Sequence, residues 1–354
     1  MYKLAVVPKV HYFNQYSRAY GSHHDYKHIK KCIKKAIGAR GIRSEIIYEG
    51  SRLQLPFFPK NNFTSKSNNF DGVIYIGISS EGKKFIKDDD NIDKFLWSFN
   101  QFEWVNTPDI FKKVKIVFEN STKDVSKFNL GNTKIYYTPL AFQADRNYKK
   151  YLNAKYDLSF VGTLDRSKRS TEKKYRRDIL IKLLEAGISV INFNGRANTR
   201  IESELLSTLK KYKNFKLESK FGEPDDYNSG KYTINFPFHE FGSEERIHAN
   251  WGMNKYETEH GNWFIGWNLF NCIGAKANII TLDCPENRQL GLDESNCNFY
   301  KNNTSNLNSM ANEIINIIKK GDIKKISDQV WNNNNYQNRW NFIIDKICEN
   351  LKIT

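Results

Sequence analysis

The sequence has little cysteine and no long apolar run. No stretch of about eighteen consecutive apolar residues occurs in the chain, so no membrane-spanning helix is expected. The five cysteines are scattered and form no Cys-x-x-Cys pair: Cys32, Cys272, Cys284, Cys297 and Cys348. An odd, dispersed set favours reduced thiols over a disulfide or zinc framework. The first eight residues are typical of a strand rather than a signal peptide, and we expect a cytoplasmic protein.

Acidic residues are also in short supply. The chain has 39 Asp and Glu against 55 Lys and Arg, a formal net charge of +16. Such an excess attracts polyanions, so nucleic acid, an anionic membrane and nucleotide phosphates are all open as partners. Lys, Asn and Ile are used heavily, which an AT-rich genome alone can produce. A solvated basic surface is therefore an equal interpretation of the charge.

The most informative stretch present is a strand, a glycine turn and a helix in the middle of the chain. Residues 157–163 predict a buried strand that ends in Gly162 and Thr163, and a charged turn follows at 165–169. A helix is predicted at 174–187 and a second strand at 189–193. Parallel strands need a helical crossover of this kind. Backbone N–H groups and Arg side chains at the first turn could bind a phosphate.

Strands and helices alternate through the rest of the chain. Further strands are predicted at 4–7, 44–48, 71–78, 114–118, 134–137, 232–236 and 277–281, and helices at 26–39, 92–102, 202–212, 263–273, 307–320 and 330–351. This alternation predicts an α/β protein with two Rossmann-like domains facing across a cleft. The expected domains are 1–145 and 156–330. A C-terminal helix at 331–354 would close the structure and pack back on the first domain.

Three segments carry a family resemblance. Residues 156–184, 190–195 and 270–281 resemble the donor domain of GT-B glycosyltransferases, in particular the spore-maturation type and the bacteriophage DNA glucosyltransferases. Residues 136–142 resemble the segment that precedes the interdomain crossing. The resemblance implies a nucleotide-sugar-dependent glycosyltransferase that takes a UDP-sugar. It also implies that Gly162, Thr163 and Arg166 bind the donor diphosphate, with Arg169 in reserve.

One departure from that family concerns the charge at the donor site. The family has an Arg and a Glu three residues apart in a late helix, where this sequence has Asn268 and Asn271. An Asn can hydrogen-bond a ribose hydroxyl but supplies no charge to a diphosphate. The remaining candidates are Arg196, Lys255, Lys276 and Arg246 for charge, and the glycine turn at Gly195 with Gly261 and Asn262 for backbone contacts.

The candidate catalytic residues lie at predicted strand ends in the first domain. Glu119 follows a strand, where its carboxylate could deprotonate an acceptor hydroxyl, and Asp124 is the fallback. His11 follows the first strand and could equally be structural. Adjacent histidines at 23 and 24 are more typical of a solvated loop than of a metal site, so we expect no required metal, with a divalent ion at most stimulating the reaction.

The expected acceptor is a hydroxymethylated base in double-stranded phage DNA, flipped out to reach the cleft. The basic charge, the aromatic loop at 11–20 and the resemblance to phage enzymes favour it. We expect a monomer, located in the host cytoplasm if the protein is encoded by a phage. A surface-polysaccharide or protein glycosyltransferase is the alternative among enzymes. An inactive GT-B binding module is the alternative outside them.

Overall fold

The structure, a computed structural model, describes residues 1–8, 26–47, 67–77, 80–88, 91–98, 111–119, 131–144, 154–164, 175–220, 222, 224–236, 238–239, 263–264, 267–301 and 306–353. Two parallel sheets of six strands each, with helices packed on them, account for most of these residues.

The first sheet is built from the N-terminal part of the chain. Its strands are β1 Lys3–Pro8, β2 Arg43–Ile46, β3 Gly72–Ile76, β4 Asp93–Ser98, β5 Ile116–Glu119 and β6 Lys134–Tyr137, with helices α1 Tyr26–Gly38 and α2 Ser80–Asp88 between them. The order across the sheet is β2-β1-β3-β4-β5-β6, and all neighbours are parallel. Residues of β1 alternate between two apolar clusters, Leu4 and Val6 on one face and Ala5 and Val7 on the other.

The second sheet follows the same plan. Its strands are β7 Tyr156–Val161, β8 Val190–Phe193, β9 Phe215–Glu218, β10 Gly230–Ile234, β13 Ile279–Leu282 and β14 Asn298–Tyr300; β11 Phe238–His239 and β12 Trp263–Phe264 form a separate antiparallel pair. Its helices are α3 Tyr175–Glu185, α4 Arg200–Leu209, α5 Trp267–Gly274, α6 Pro285–Gln289 and α7 Leu307–Lys320. The order is β14-β13-β10-β7-β8-β9, again parallel.

Two C-terminal helices, α8 Asp328–Asn333 and α9 Tyr336–Leu351, end the described chain. Helix α9 packs against α1 of the first sheet. Arg40 donates from Nε and Nη2 to Oδ1 of Asp345 at 2.8 and 2.5 Å. The rings of Trp340 and Trp97 meet edge to face, with centroids 5.3 Å apart. The end of the chain therefore completes the packing of its beginning.

The junction between α8 and α9 is also bonded to the segment after the first sheet. The backbone N–H of Phe142 donates to the carbonyl of Asn334 at 3.0 Å, and the N–H of Tyr336 donates to the carbonyl of Phe142 at 3.0 Å. One apolar cluster runs through this region and contains buried residues of both sheets, among them Phe95 and Ile279. The two sheets thus share a core.

Three predicted helices differ from the structure. The prediction of a helix at 92–102 is wrong where the structure describes it, because Asp93–Ser98 is a strand bonded to β3 on one side and β5 on the other. A short aromatic run does not distinguish a buried strand from a buried helix. The helix predicted from residue 263 begins instead at Trp267, after the short strand Trp263–Phe264.

The stretch predicted as one helix at 330–351 is divided. Asn335 has an extended backbone, and its side chain accepts from the N–H of Asn338 at 3.0 Å. Asn competes with the helical backbone for hydrogen bonds and therefore favours helix N-caps over helix interiors. The run of asparagines at 332–335 consequently ends α8 and starts α9.

Candidate functional site

The strand order locates the candidate site in the second sheet. From β7 the chain adds β8 and β9 on one side, then returns to add β10, β13 and β14 on the other. The point between β7 and β10, where the direction reverses, is a topological switch point. Open α/β sheets bind ligands outside the carboxyl ends of the strands at such a point. The turns after Val161 and after Ile234 form this edge.

The turn after β7 begins with Gly162, whose φ of +141° disfavours side chains. A Cβ there would lie 3.1 Å from Nδ2 of Asn268. The next residue, Thr163, has a buried hydroxyl with no hydrogen-bond partner in the described part of the chain. A buried polar group without a partner costs about 1–3 kcal/mol. The turn therefore offers a hydroxyl that a ligand oxygen could satisfy.

Arg176 connects this turn to the neighbouring strand end. Its side chain is buried, and it donates from Nη1 to the carbonyl of Thr163 at 3.1 Å and from Nη2 to the carbonyl of Phe236 at 3.3 Å. These carbonyls follow β7 and β10, the two strands at the switch point. The sequence alone does not single out Arg176, because this residue lies in the helical pattern that follows the predicted phosphate turn.

Glu202 connects the same turn to the strand on the other side. This carboxylate is buried, and Oε2 accepts from the N–H of Leu164 at 3.1 Å and from Nδ2 of Asn194 at 2.7 Å. Asn194 follows β8, and its Oδ1 accepts from the N–H of Arg196 at 3.0 Å. The predicted turn at Gly195 and Arg196 thus lies on the same sheet edge, with the Arg196 side chain exposed.

Asn268 and Asn271 lie on α5 and make their described contacts within the protein. Asn268 donates from Nδ2 to the carbonyl of Val161 at 2.7 Å and accepts from the hydroxyl of Tyr227 at 3.2 Å. Asn271 is buried and donates to the same hydroxyl at 3.3 Å. These contacts place the N-terminus of α5 beside the turn after β7. Direct donor binding by either Asn stays a prediction.

Lys276 lies at the opposite edge of the second sheet. It follows the C-terminus of α5 and precedes β13, so it is at the amino ends of the strands. Its ammonium pairs with Asp328 and lies 5.7 Å from the ring centroid of Trp331. This position removes Lys276 from the candidates for neutralising a ligand at the carboxyl ends.

Glu119 occupies the carboxyl end of β5 in the first sheet, as predicted. It pairs in register with Ser98 and Tyr137, and its side chain is fully buried. Burial raises the pKa of the neighbouring Tyr137 hydroxyl; Arg339 opposes this rise and Glu286 adds to it. Tyr137 ends β6 of the first sheet, and Glu286 lies on α6, which follows β13 of the second sheet.

Eight candidate site residues lie outside the described residues: His11, Asp124, Arg166, Arg169, Arg246, Lys255, Gly261 and Asn262. The described residues contain no group of three or more His, Cys, Asp or Glu side chains that could hold a metal ion. No helix within the described ranges is long and apolar enough to cross a membrane.

Two Rossmann-like parallel sheets of six strands each match solved GT-B structures along almost the whole chain, which confirms the predicted fold class. A glycosyltransferase from Rickettsia africae is 12% identical and matches 100% of this chain and 99% of its own, with a TM-score of 0.59. The pneumococcal O-GlcNAc transferase GtfA, solved with UDP and GlcNAc, is 14% identical with a TM-score of 0.53. The match covers 83% of this chain but 61% of GtfA.

Enzymes of another kind share the fold. The UDP-GlcNAc 2-epimerase from Methanocaldococcus jannaschii is 13% identical, with 98% of this chain and 99% of that one matched and a TM-score of 0.52. No protein-family model matches the sequence, and no curated protein matches it. At these identities the likeness establishes the fold alone, and the resemblance to phage and spore-maturation enzymes stays a prediction.

Proposed function

We propose that the chain transfers a sugar from a nucleotide-sugar donor to an acceptor hydroxyl. The observation that carries the proposal is the turn after β7, where the buried Thr163 hydroxyl has no partner among the described residues at the switch point of the sheet. The solved GtfA complex with UDP and GlcNAc has the same fold, which supports a UDP-sugar as the donor. Gly162 and Thr163 would bind the donor diphosphate at this turn.

The reaction breaks the bond between the anomeric carbon and the diphosphate oxygen and forms a bond from that carbon to the acceptor oxygen. The acceptor proton goes to a base, and the nucleoside diphosphate leaves with the electron pair. Negative charge therefore grows on the diphosphate in the transition state. The positive end of the α5 dipole and the exposed Arg196 on the same edge would stabilise it, with Arg166 as predicted from the resemblance.

Glu119 is the proposed base, because it ends β5 at the carboxyl edge of the first sheet, where open α/β sheets bind ligands. Its side chain is fully buried, so the acceptor must enter the cleft deeply to reach it. Glu119→Gln should lower turnover by roughly two to four orders of magnitude while leaving UDP affinity unchanged. Glu218→Gln changes a carboxylate at the end of β9 and is the matched control. Full turnover in Glu119→Gln would move the role to Asp124 or His11.

Calorimetry with UDP, followed by a donor screen by mass spectrometry, tests the activity itself. A glycosyltransferase is expected to bind UDP and to hydrolyse or transfer a sugar from one UDP-sugar. Binding without turnover would favour the inactive binding module. The hydrogen bonds that Asn268 and Asn271 make within the protein support this alternative. Conversion of a UDP-sugar into its epimer would favour the activity of the epimerase neighbour, and no nucleotide binding would contradict the proposal.

The favoured acceptor is a hydroxymethylated base in phage DNA. The net charge of +16 supports it, since Lys and Arg contacts to phosphates release counterions and make binding fall steeply with salt. The measurement is duplex affinity at low and at physiological salt, with transfer assayed on hydroxymethylated and unmodified DNA. A flat salt response without transfer to DNA, from a protein that binds UDP, would favour a polysaccharide or protein acceptor.

A further inference from the structure

We propose that Arg176 and Glu202 are positioning residues that hold the donor-binding turn in its binding conformation from both sides. We call these two residues the turn clamp. This inference rests on the proposed function, because it assigns residues that prepare the same site. Both are buried charges, with 8% and 2% of their surface exposed.

The two halves of the clamp act on consecutive residues of the turn. Arg176 binds the carbonyl of Thr163 at 3.1 Å and, through its other nitrogen, the carbonyl of Phe236 after β10. Glu202 binds the N–H of Leu164 at 3.1 Å and the side-chain amide of Asn194 after β8. The turn is therefore fixed to the strand end on each side of it.

The clamp leaves the Thr163 hydroxyl without a hydrogen-bond partner among the described residues. The Thr163 carbonyl and the Leu164 N–H, which belong to the peptide bond that follows Thr163, are both bound by charged groups. Hydrogen bonds to charged groups are stronger than neutral ones. A turn fixed in this way pays little ordering cost when a ligand binds, which is how preorganisation raises affinity.

The two charges should affect an anionic ligand differently. Arg176 holds a positive charge beside the turn, so its loss removes both the geometry and a favourable field for phosphate. Glu202 holds a negative charge, which repels phosphate, so it aids ligand binding only through the hydrogen bonds that position the turn. Glu202→Gln keeps an oxygen that can accept from Leu164 and Asn194, whereas Glu202→Ala does not. A residue that merely supports the fold would show no such difference in nucleotide binding.

The experiment is UDP calorimetry on four folded variants. Arg176→Met and Glu202→Ala should each weaken UDP binding about tenfold or more, while Glu202→Gln should stay within about twofold of wild type. Ile179→Val is the control: it removes one buried methylene from the same helix without touching the turn. It should lower stability and leave UDP affinity unchanged.

Kinetics give a second readout. The clamp predicts a higher donor KM in Arg176→Met, with kcat restored at saturating donor. Equal UDP affinity and donor KM in wild type, Arg176→Met and Glu202→Ala would overturn the clamp and leave the glycosyltransferase intact. A wild-type protein that binds no nucleotide would instead contradict the proposed function.

Hydrogen exchange on the wild-type protein tests the clamp even if Arg176→Met and Glu202→Ala both fail to fold. The Leu164 amide, which donates to Glu202, should already exchange slowly in the free protein, because the clamp fixes the turn before the ligand binds. Fast exchange of this amide without UDP, slowed only at a saturating UDP concentration, would overturn the clamp.

Discussion

The hydroxyl of Thr163 offers the sharpest test at the scale of single residues. Thr163→Val removes a buried hydroxyl without a described partner, so stability should stay equal or rise by up to about 1–3 kcal/mol. UDP affinity should fall roughly two- to tenfold, because the ligand loses a hydrogen bond. Thermal unfolding and calorimetry on one preparation measure both. Loss of stability with unchanged affinity would show that Thr163 is structural, and Thr163→Ser should restore binding.

Gly162 gives a prediction about backbone strain. Gly162→Ala should destabilise the protein by about 1–3 kcal/mol, since φ of +141° is unfavourable for Ala and the new Cβ meets Asn268 at 3.1 Å. Denaturant unfolding measures the loss. In an Asn268→Ala background the contact disappears and the strain remains, so the same substitution should cost less. An equal cost in both backgrounds would attribute the whole effect to the backbone.

Single residues also show what the sequence could and could not reveal. The glycine turn was predictable because a strand, a Gly and a helix in succession place the turn at a strand end. Arg176 was not, since its second partner, Phe236, lies 60 residues along the chain and becomes a neighbour only when β10 pairs with β7. A buried Arg inside a helix carries no local signal of its long-range partner.

At the scale of elements, the start of α9 carries a prediction. Asn335 caps this helix through Oδ1 and donates from Nδ2 to the carbonyl of Asn332 at 2.8 Å. Asn335→Ala should cost about 0.5–2 kcal/mol of stability, measured by denaturant unfolding. Asn335→Asp retains the cap acceptor and should cost less. Asn333→Ala, at an exposed position of α8, is the control and should be near neutral.

The elements that could be predicted from the sequence were those with a clear hydrophobic periodicity and a typical length. Helix α7 was predicted at residues 307–320, and that is where it lies. Strand β4 was not found, because its buried Phe95, Leu96 and Trp97 are a continuous apolar run, as expected for a strand covered on both faces. Strands β9 and β14 were also missed, with four and three residues respectively. Such short segments gain their stability from neighbouring strands rather than from their own pattern.

At the scale of the whole molecule, the shared core predicts coupled unfolding. Trp340 is fully buried in the cluster that contains residues of both sheets. Trp340→Ala should destabilise the protein by about 3–5 kcal/mol and separate one calorimetric transition into two. Trp340→Phe keeps the ring contact with Trp97 and removes an indole N–H without a described partner, so it should retain one transition. Two transitions in wild type would contradict the coupling.

The alternation of strands and helices was enough to predict two parallel sheets, because parallel strands need helical crossovers and those have a recognisable length. The contacts that join the two sheets could not be predicted from the sequence. The ion pair between Arg40 and Asp345 connects positions 305 residues apart, and nothing local to either residue points to the other. Whole-molecule contacts of this kind depend on the assembled surfaces of both sheets.

The packing of α9 on α1 has a consequence for how the protein is made. Trp97 emerges early in synthesis, whereas Trp340, which covers it, belongs to the last helix. At roughly 5–20 residues per second, the interval between them is on the order of 10–50 s. During that time the first sheet around Trp97 lacks the cover that α9 gives it. A nascent chain in this state is a natural client for chaperones, and synthesis of α9 rather than completion of the first sheet becomes the point at which the N-terminal half can finish folding.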